Sequence, residues 1–266
     1  MNPIKKFDKR VEDVNSLLCV GLDADFNKIP KRFLDMQFPQ FEFNKWIIEE
    51  TNEYAASFKI NSAFYEARGE QGIHELKMTI DYLNQNHPSI FTIFDAKRGD
   101  IGNTNNGYVA FAFDWLNFDS ITLHPYLGIE SLMPFLERKE KGCIIMCRNS
   151  NPDSREFQNL IIDGKPLWQI MAESVTNKWN TNQNCILAVG ATYPEEMKKI
   201  REITGDMTFL VPGIGAQGGS IKEIMQAGQN SKGRGLIIHS ARNIIFSENP
   251  KEEAQKLRDE IRQYRK

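Results

Sequence analysis

The stretch "IFTIFDAKRGDIGNT", residues 90–104, joins an apolar run to a cluster of charged side chains. Its first half is rich in Ile and Phe, which favour a buried β-strand. Asp95, Lys97 and Asp100 follow, and Gly102 and Asn103 come soon afterwards. Charges this close to a core are costly unless they are paired. The stretch therefore predicts a strand that ends either in a buried ion-pair network or in catalytic groups.

Other parts of the chain repeat the first half of this pattern. Each is a short run that is nearly continuously hydrophobic rather than alternating, which is typical of parallel strands covered on both faces. The complete series of predicted strands is 17–23, 57–61, 90–97, 120–124, 142–149, 185–191, 208–214 and 234–241.

Helix-like segments lie between these strands. Residues 43–56 and 72–86 space their apolar side chains by turns of a helix. The segments that begin at Pro166 and Pro194 start with proline, a common first helical residue, and residues 251–264 form a last segment. Alternation of eight strands with helices predicts a (β/α)8 barrel, the TIM-barrel fold. An open doubly wound sheet remains the alternative, because sequence does not show closure.

Length and composition fit one such barrel. A chain of 266 residues is within the usual range for a single α/β barrel, and no low-complexity linker divides it. We therefore expect one domain over residues 1–266. A net charge of −2 without a basic stripe argues against a nucleic-acid partner.

The sequence also indicates a cytoplasmic protein. No apolar run approaches the roughly 18 residues of a transmembrane span, and the charged start "MNPIKKFDKR" lacks the apolar core of a signal peptide. We expect no membrane partner. The cysteines lie in apolar runs without Cys-x-x-Cys spacing, so reduced core thiols are expected at Cys19, Cys143, Cys147 and Cys185.

Four charged residues mark the ends of the first three predicted strands: Asp23, Lys59, Asp95 and Lys97. Because side chains alternate along a strand, Asp95 and Lys97 should project to the same face. The carboxyl ends of the strands hold the ligands in barrels and in open sheets alike. One Asp–Lys pair would indicate a structural salt bridge, but this number on consecutive strand ends favours catalysis.

Such a cluster suits proton transfer to carbon. A lysine held between carboxylates stays an ammonium, because nearby negative charge raises its pKa. It can then donate a proton and stabilise a developing carbanion, while the carboxylates favour departure of an anionic group. Loss of carbon dioxide is the natural case, and it needs no electron-sink cofactor where the electrostatic stabilisation is strong enough.

A divalent metal site is the alternative interpretation of the charged residues at these strand ends, which form the rim of the predicted barrel. The acids together with His124 and His239 could bind a cation, as in sugar-phosphate epimerases built on barrels. Lys59 and Lys97 disfavour this reading, because their ammonium groups would compete with the cation. The two histidines are then expected to be core or rim residues with satisfied hydrogen bonds.

The stretch "GIGAQG", residues 213–218, matches Gly-x-Gly-x-x-Gly. A dinucleotide-binding fold is disfavoured, since the next strand ends in His239 and Ser240 rather than in an acid. Glycine-rich backbone at a helix start nevertheless favours phosphate, which barrels often bind after strands seven and eight. Arg242 could add a bidentate contact and Gln217 a neutral donor.

The longest predicted loops, roughly residues 24–40 and 149–163, follow strands one and five. Loops at this end of a barrel carry ligand contacts. Ser150 could read the polar edge of a planar ring, and a simple turn over residues 151–153 is the alternative.

Six motifs occur in order along nearly the whole chain: "LLCVGLDAD", "SFKINSAFYEARG", "FDAKRGDIGNT", "RNSNPDS", "VGATYPEE" and "LVPGIGAQGG". Together they resemble the orotidine 5'-phosphate decarboxylase family, in its longer bacterial and protozoan branch. The resemblance implies a homodimeric barrel that converts orotidine 5'-phosphate to UMP without metal or organic cofactor. The metal-dependent 3-keto-L-gulonate 6-phosphate decarboxylases share Asp-x-Lys-x-x-Asp, so a metal-dependent sugar-phosphate decarboxylase or lyase remains the alternative.

The resemblance also implies roles for the charged residues. Lys97 resembles the proton donor to C6 of the pyrimidine, and Asp95 the carboxylate that faces the departing group. Lys59 resembles the lysine that links this network to the ribose, and Asp23 the acid that holds a ribose hydroxyl. Asp100 resembles an acid contributed across the dimer interface.

The remaining implied roles concern substrate binding. Thr104 would lie near the partner's ribose, and Ser150 would contact the pyrimidine edge. Gln217 and Arg242 resemble the phosphate grip, and residues 213–219 the lid that closes on it. Substrate contacts are also expected at Pro212 and Gly215.

Overall fold

In the computed structural model, which describes residues 2–214 and 219–266, eight parallel strands close into a barrel. Each strand pairs with the next along the chain, and the last pairs with the first, for example through Cys19 and His239. The strands are β1 Leu18–Gly21, β2 Ser57–Asn61, β3 Phe91–Arg98, β4 Ser120–Leu123, β5 Gly142–Arg148, β6 Cys185–Val189, β7 Phe209–Val211 and β8 Leu236–Ser240. The closure confirms the predicted barrel over the open sheet.

The strands are covered on both faces. Every residue of β1, β4, β6, β7 and β8 is buried, which explains why most of their residues are apolar. The predicted strand 208–214 is too long, because the sheet ends at Val211. Pro212 follows it, and a proline has no N–H to continue the ladder.

Helices surround the barrel and connect its strands. They are α1 Pro3–Val14, α2 Lys31–Leu34, α3 Pro39–Thr51, α4 Ala63–Glu66, α5 Gly69–Asn86, α6 Gly102–Val109, α7 Ile129–Leu136, α8 Arg155–Gln158, α9 Leu167–Ser174, α10 Pro194–Thr204, α11 Ile221–Gly228, α12 Arg242–Ile245 and α13 Pro250–Gln263. π-Helical segments at Ala110–Trp115 and Val175–Trp179 extend α6 and α9. No helix in the described part of the chain is both long and apolar enough to span a membrane.

The two long loops contain more regular structure than expected. The first holds a 3₁₀ turn at Phe26–Lys28 and then α2. The second holds a 3₁₀ turn at Pro152–Ser154, then α8 and a two-residue antiparallel hairpin of Ile161–Ile162 with Lys165–Pro166. These elements are too short to produce a periodic hydrophobic pattern.

Helix α1 is the one whose sequence looked only like a charged start. The side chain of Asn2 caps it by accepting the N–H of Ile4 at 2.9 Å. Phe7 is fully buried, and its ring packs edge-on against Phe91 at the start of β3, with centroids 5.8 Å apart. Lys6 Nζ lies 2.6 Å from Asp119 Oδ2, just before β4. Helix α1 therefore lies against the amino-terminal end of the barrel.

Removal of the Phe7 ring should test this role. Phe7→Ala is expected to lower the free energy of unfolding by about 3–5 kcal/mol, because it leaves a cavity under the barrel. Phe157→Ala is the control: that ring is 62% exposed, so its loss should change stability by less than about 0.5 kcal/mol. Urea denaturation measures both, and a loss below about 1 kcal/mol for Phe7→Ala would contradict the assignment.

Candidate active site

The carboxyl ends of β1, β2 and β3 bring Asp23, Lys59, Asp95 and Lys97 together. Lys59 Nζ lies 2.9 Å from Asp95 Oδ2 and 3.3 Å from Asp23 Oδ1. Lys97 Nζ lies 2.6 Å from Asp95 Oδ1. The four side chains form a row of alternating charge, Asp23–Lys59–Asp95–Lys97, which we call the charge row.

Asp95 is the centre of the charge row. Each of its oxygens accepts from one lysine and from one neutral donor: Thr122 Oγ1 donates to Oδ1 at 2.9 Å, and Asn61 Nδ2 donates to Oδ2 at 3.3 Å. The carboxylate is buried. Its hydrogen-bonding capacity is thus met from four sides, as a buried charge requires.

The row keeps its buried members charged. Burial would raise the pKa of Asp95, but the charges of Lys59 and Lys97 and their hydrogen bonds hold that pKa well below its ordinary value of 3.8. Burial would likewise lower the pKa of Lys59, but Asp23 and Asp95 raise it well above its ordinary value of 10.5. Both groups are therefore ionised at neutral pH.

The two lysines occupy different environments. The Lys59 side chain is 4% exposed and lies between two carboxylates, whereas that of Lys97 is 40% exposed and has one, Asp95. Lys97 also has a left-handed backbone with φ 44°, which is uncommon for a residue with a side chain. The ammonium of Lys97 is consequently the one that remains open to a ligand.

A cavity of about 470 Å³ opens above the charge row. This volume is in the range of sites for small molecules and cofactors. The loops after β5, β7 and β8 supply further wall residues, including Ser150, Pro212 and Arg242. Three residues predicted to bind substrate therefore share one cavity with the charge row.

The loop after β5 reaches the cavity through a close contact with the end of β6. A Cβ atom at Gly190 would lie 2.6 Å from the backbone nitrogen of Ser150, which only glycine avoids. Behind the loop, Arg148 is fully buried. Its Nε lies 2.9 Å from Glu196 Oε2, and its Nη1 donates to Gln158 Oε1 at 3.0 Å. Arg148 thus ties the loop to helix α10.

Asp100 and Thr104 lie outside this cavity. Asp100 Oδ1 accepts the N–H of Ile101 at 2.7 Å, and Asn105 Nδ2 donates to the Asp100 carbonyl at 2.7 Å. Among the residues with described positions, Asp100 forms no ion pair. Thr104 is exposed in the first turn of α6 and lines a separate surface groove beside Tyr108.

Two predicted substrate contacts, Gly215 and Gln217, lie outside the described residues. Sequence reasoning missed Asn61, Thr122 and Arg148. Asn61 stands two positions after Lys59 and so shares its face. Thr122 and Arg148 are polar residues within mostly apolar strands, and this polarity is the sequence feature that could have identified them.

The histidines differ from expectation. The buried Nε2 of His239 has no hydrogen-bond partner among the described residues, so the prediction of a satisfied histidine is wrong there. The ring packs against Gly21, where a Cβ would lie 2.4 Å from Nε2. Burial lowers the pKa of His124 and that of His239, and the charge of Lys97 lowers the pKa of His124 further. No group of three or more His, Cys, Asp or Glu side chains in residues 2–214 and 219–266 could hold a metal ion.

Comparison with known proteins identifies the family. The family model described as "Orotidine 5'-phosphate decarboxylase / HUMPS family" matches residues 16–257. The chain belongs to this family.

Relatives in the family match the chain along almost its full length. It is 43% identical to the orotidine 5'-phosphate decarboxylase of Cellvibrio japonicus, over 97% of this chain and 94% of the relative. It is 44% identical to that of Flavobacterium johnsoniae, over 96% and 93%. The solved structure of Leishmania donovani OMP decarboxylase superimposes with a TM-score of 0.89 at 35% identity, covering 99% of both chains. These relatives come from two bacteria and a protozoan, the groups of organisms in the branch that the motifs indicated.

The charge row should give a specific pH dependence of stability. Asp95→Asn is expected to lower the free energy of unfolding by about 3 kcal/mol at pH 7, because it removes one partner of a buried ion pair. Since the pKa of Asp95 is lowered and that of Lys59 is raised, this difference should be constant from about pH 4 to about pH 10. It should fall as the pH drops below that window through the folded-state pKa of Asp95, and as it rises above the window through that of Lys59.

Urea denaturation at pH 3, 5, 7 and 9 provides the measurement. Asp163→Asn is the matched control, because Asp163 is exposed in the hairpin turn and does not line the cavity. A difference between wild type and Asp95→Asn that already titrates between pH 5 and pH 9 would show that the pair is not formed as described.

Proposed function

We propose that this protein is a lyase that decarboxylates orotidine 5'-phosphate to UMP without a cofactor, as a step of pyrimidine biosynthesis. The observation that carries the proposal is the charge row under a ligand-sized cavity, in a chain that belongs to the orotidine 5'-phosphate decarboxylase family. The relatives from Cellvibrio and Flavobacterium bear the name of this enzyme.

Lys97 is the proposed proton donor. Its ammonium lies at the cavity, 2.6 Å from Asp95 Oδ1. As the bond between C6 and the carboxyl carbon breaks, the electron pair stays on C6, and CO₂ leaves. The ammonium stabilises this developing negative charge and transfers a proton from Nζ to C6. Lys97 then regains a proton from solvent.

Asp95 favours the same step from the other side. A substrate carboxylate beside Asp95 is destabilised by like charge, and this repulsion disappears as neutral CO₂ forms. Lys59 keeps Asp95 ionised and in position. The repulsion that is relieved need not be large, because each tenfold gain in rate requires only about 1.4 kcal/mol of barrier lowering. Lys59 and Asp23, both in the cavity wall, are proposed to hold the ribose hydroxyls.

The rest of the substrate lies along the loops. We assign the pyrimidine edge to Ser150, whose backbone is held against Gly190. Arg242, exposed at the start of α12, is assigned to the phosphate. Pro212 lines the same cavity, and Gly215 and Gln217 are proposed to complete the phosphate site.

A homodimer is proposed to complete each site with Asp100 and Thr104 of the partner subunit. Among the described residues of its own chain, Lys97 pairs with one carboxylate, that of Asp95, and Asp100 lies outside its own cavity. Large apolar side chains are exposed nearby in the loops before α6 and α7: Ile101, Tyr126 and Leu127. Exposed apolar clusters of this kind mark protein interfaces.

We also infer that residues 1–266 act as one domain in the cytoplasm. The cysteines at 19, 143, 147 and 185 are free and buried, as in proteins of reducing compartments. A metal-dependent sugar-phosphate decarboxylase is less well supported, because Lys59 and Lys97 already occupy the carboxylates that would bind the metal.

The reaction itself is the first test. Incubation with orotidine 5'-phosphate and EDTA should give UMP, followed by the loss of substrate absorbance. Lys97→Ala should lower kcat by at least about 10³-fold, since it removes the proton donor, while UMP binding and urea stability persist. Lys165→Ala, at an exposed surface ion pair with Glu173, is the control and should keep full activity. Activity lost on chelation would favour the metal-dependent alternative, and UMP binding without turnover would indicate a binding protein.

Mixing two inactive variants tests the shared site. Lys97→Ala and Asp100→Ala homodimers should each be nearly inactive. After subunit exchange, half of the dimers are mixed, and each of these has one intact site, so about one quarter of wild-type activity should return. Lys97→Ala mixed with Asp95→Asn provides the control, because both changes fall in the same half-site and no activity should return. If the first mixture also stays inactive after exchange is verified, Asp100 acts within its own chain or not at all.

A further inference from the structure

We propose that Thr122 is a positioning residue, whose hydroxyl sets the geometry of Asp95 and Lys97 for proton transfer. The role rests on the proposed decarboxylation and adds to it a residue in β4 that acts through the two groups at the reacting centre.

One hydroxyl contacts both members of the pair. Thr122 Oγ1 accepts the backbone N–H of Lys97 at 2.9 Å and donates its proton to Asp95 Oδ1 at 2.9 Å. A hydroxyl has one donor and two acceptor sites, so both bonds form at once, and their directions are fixed by chemistry. Thr122 is 1% exposed, and water therefore does not compete for these bonds.

We call these two hydrogen bonds of Thr122 the clamp, and the backbone around Lys97 explains why it is needed. Phe94 pairs with Ile121, but the next pair along the two strands is Arg98 with Leu123. Three residues of β3 thus oppose the single residue Thr122 of β4, which is a bulge. Within the bulge Lys97 adopts φ 44°. Such a conformation persists only where the surroundings hold it, and the Thr122 hydroxyl replaces the ladder acceptor that the Lys97 N–H has lost.

The remaining contacts do not duplicate this clamp. Lys59 and Asn61 both bind Asp95 Oδ2. Only Thr122 and Lys97 itself contact Oδ1 among the described residues. Loss of the hydroxyl therefore frees the oxygen that faces the proton donor and the backbone that carries this donor, while Asp23 and Lys59 keep their ion pair.

The barrel contains a matched control. Thr92 Oγ1 accepts the backbone N–H of Asp119 at 3.0 Å and donates to the Asp119 carboxylate at 3.1 Å. It is also 1% exposed. The chemistry equals that of Thr122, but Asp119 precedes β4 and so lies at the amino-terminal end, away from the cavity.

The test compares Thr122→Val, Thr122→Ser and Thr92→Val. Thr122→Val should lower kcat and the single-turnover rate by about 10- to 100-fold, the effect of one lost hydrogen bond to a charged group. KM and the Kd for UMP should change by less than about threefold, because the binding loops are untouched. Thr122→Ser should restore kcat to within about threefold of wild type, since it keeps the hydroxyl. Thr92→Val should lose stability but keep its kcat.

Three results would overturn the proposal: wild-type kcat in Thr122→Val, a loss that Thr122→Ser does not rescue, or an equal kcat loss in Thr92→Val. Should Thr122→Val not fold, Thr122→Cys takes its place, because a thiol of similar size is a weak hydrogen-bond partner. Its kcat should then fall at least about tenfold, and an unchanged kcat would again contradict the role. Wild-type turnover is measured first, and its absence would refute the decarboxylase function itself. If the wild type turns over normally and Thr122→Val has the same kcat, only the positioning role of Thr122 is refuted.

Discussion

The carboxylate of Asp95 is held between the ammonium groups of Lys59 and Lys97 at the end of β3, and the organisation of the site depends on keeping it ionised there. Buried charge is unfavourable, and the attraction within an ion pair often only offsets the cost of removing both partners from water. Stability alone therefore does not account for the charge row. An apolar set of similar volume would hold the barrel as well, so the row is better explained by the chemistry that it permits.

The barrel separates stability from chemistry along its axis, as is general for this fold. At the amino-terminal end, α1 packs its buried Phe7 on Phe91, and Thr92 binds Asp119. These contacts form when the chain folds and need no ligand. At the carboxyl end the same elements provide a bulge, a left-handed lysine and an open cavity. A closed and well-packed barrel can maintain such strain, since its other contacts are not disturbed by it.

The sequence predicted those features that depend on local pattern. Buried parallel strands are mostly apolar, so their number and order were readable, and alternation predicted that Asp95 and Lys97 would share one face. The bulge at Lys97 was not readable, because it results from how β3 pairs with β4. Thr122 and Arg148 were missed for the same reason: their partners, Asp95 and Glu196, are far away in sequence. Helix α1 was missed because its polar composition hides a narrow apolar face.

Two lysines in one row would be redundant if they did the same work, but their surroundings differ. Lys59 directs its ammonium at two carboxylates and is almost fully buried, so at most one of its three N–H bonds is left for a ligand. Lys97 shares one carboxylate with it and keeps its other N–H bonds toward the cavity. The first lysine therefore fixes the negative charge, and the second one is the better candidate for the proposed proton transfer beside it. A carboxylate from a second chain would strengthen this asymmetry, since it would orient the Lys97 ammonium without burying it.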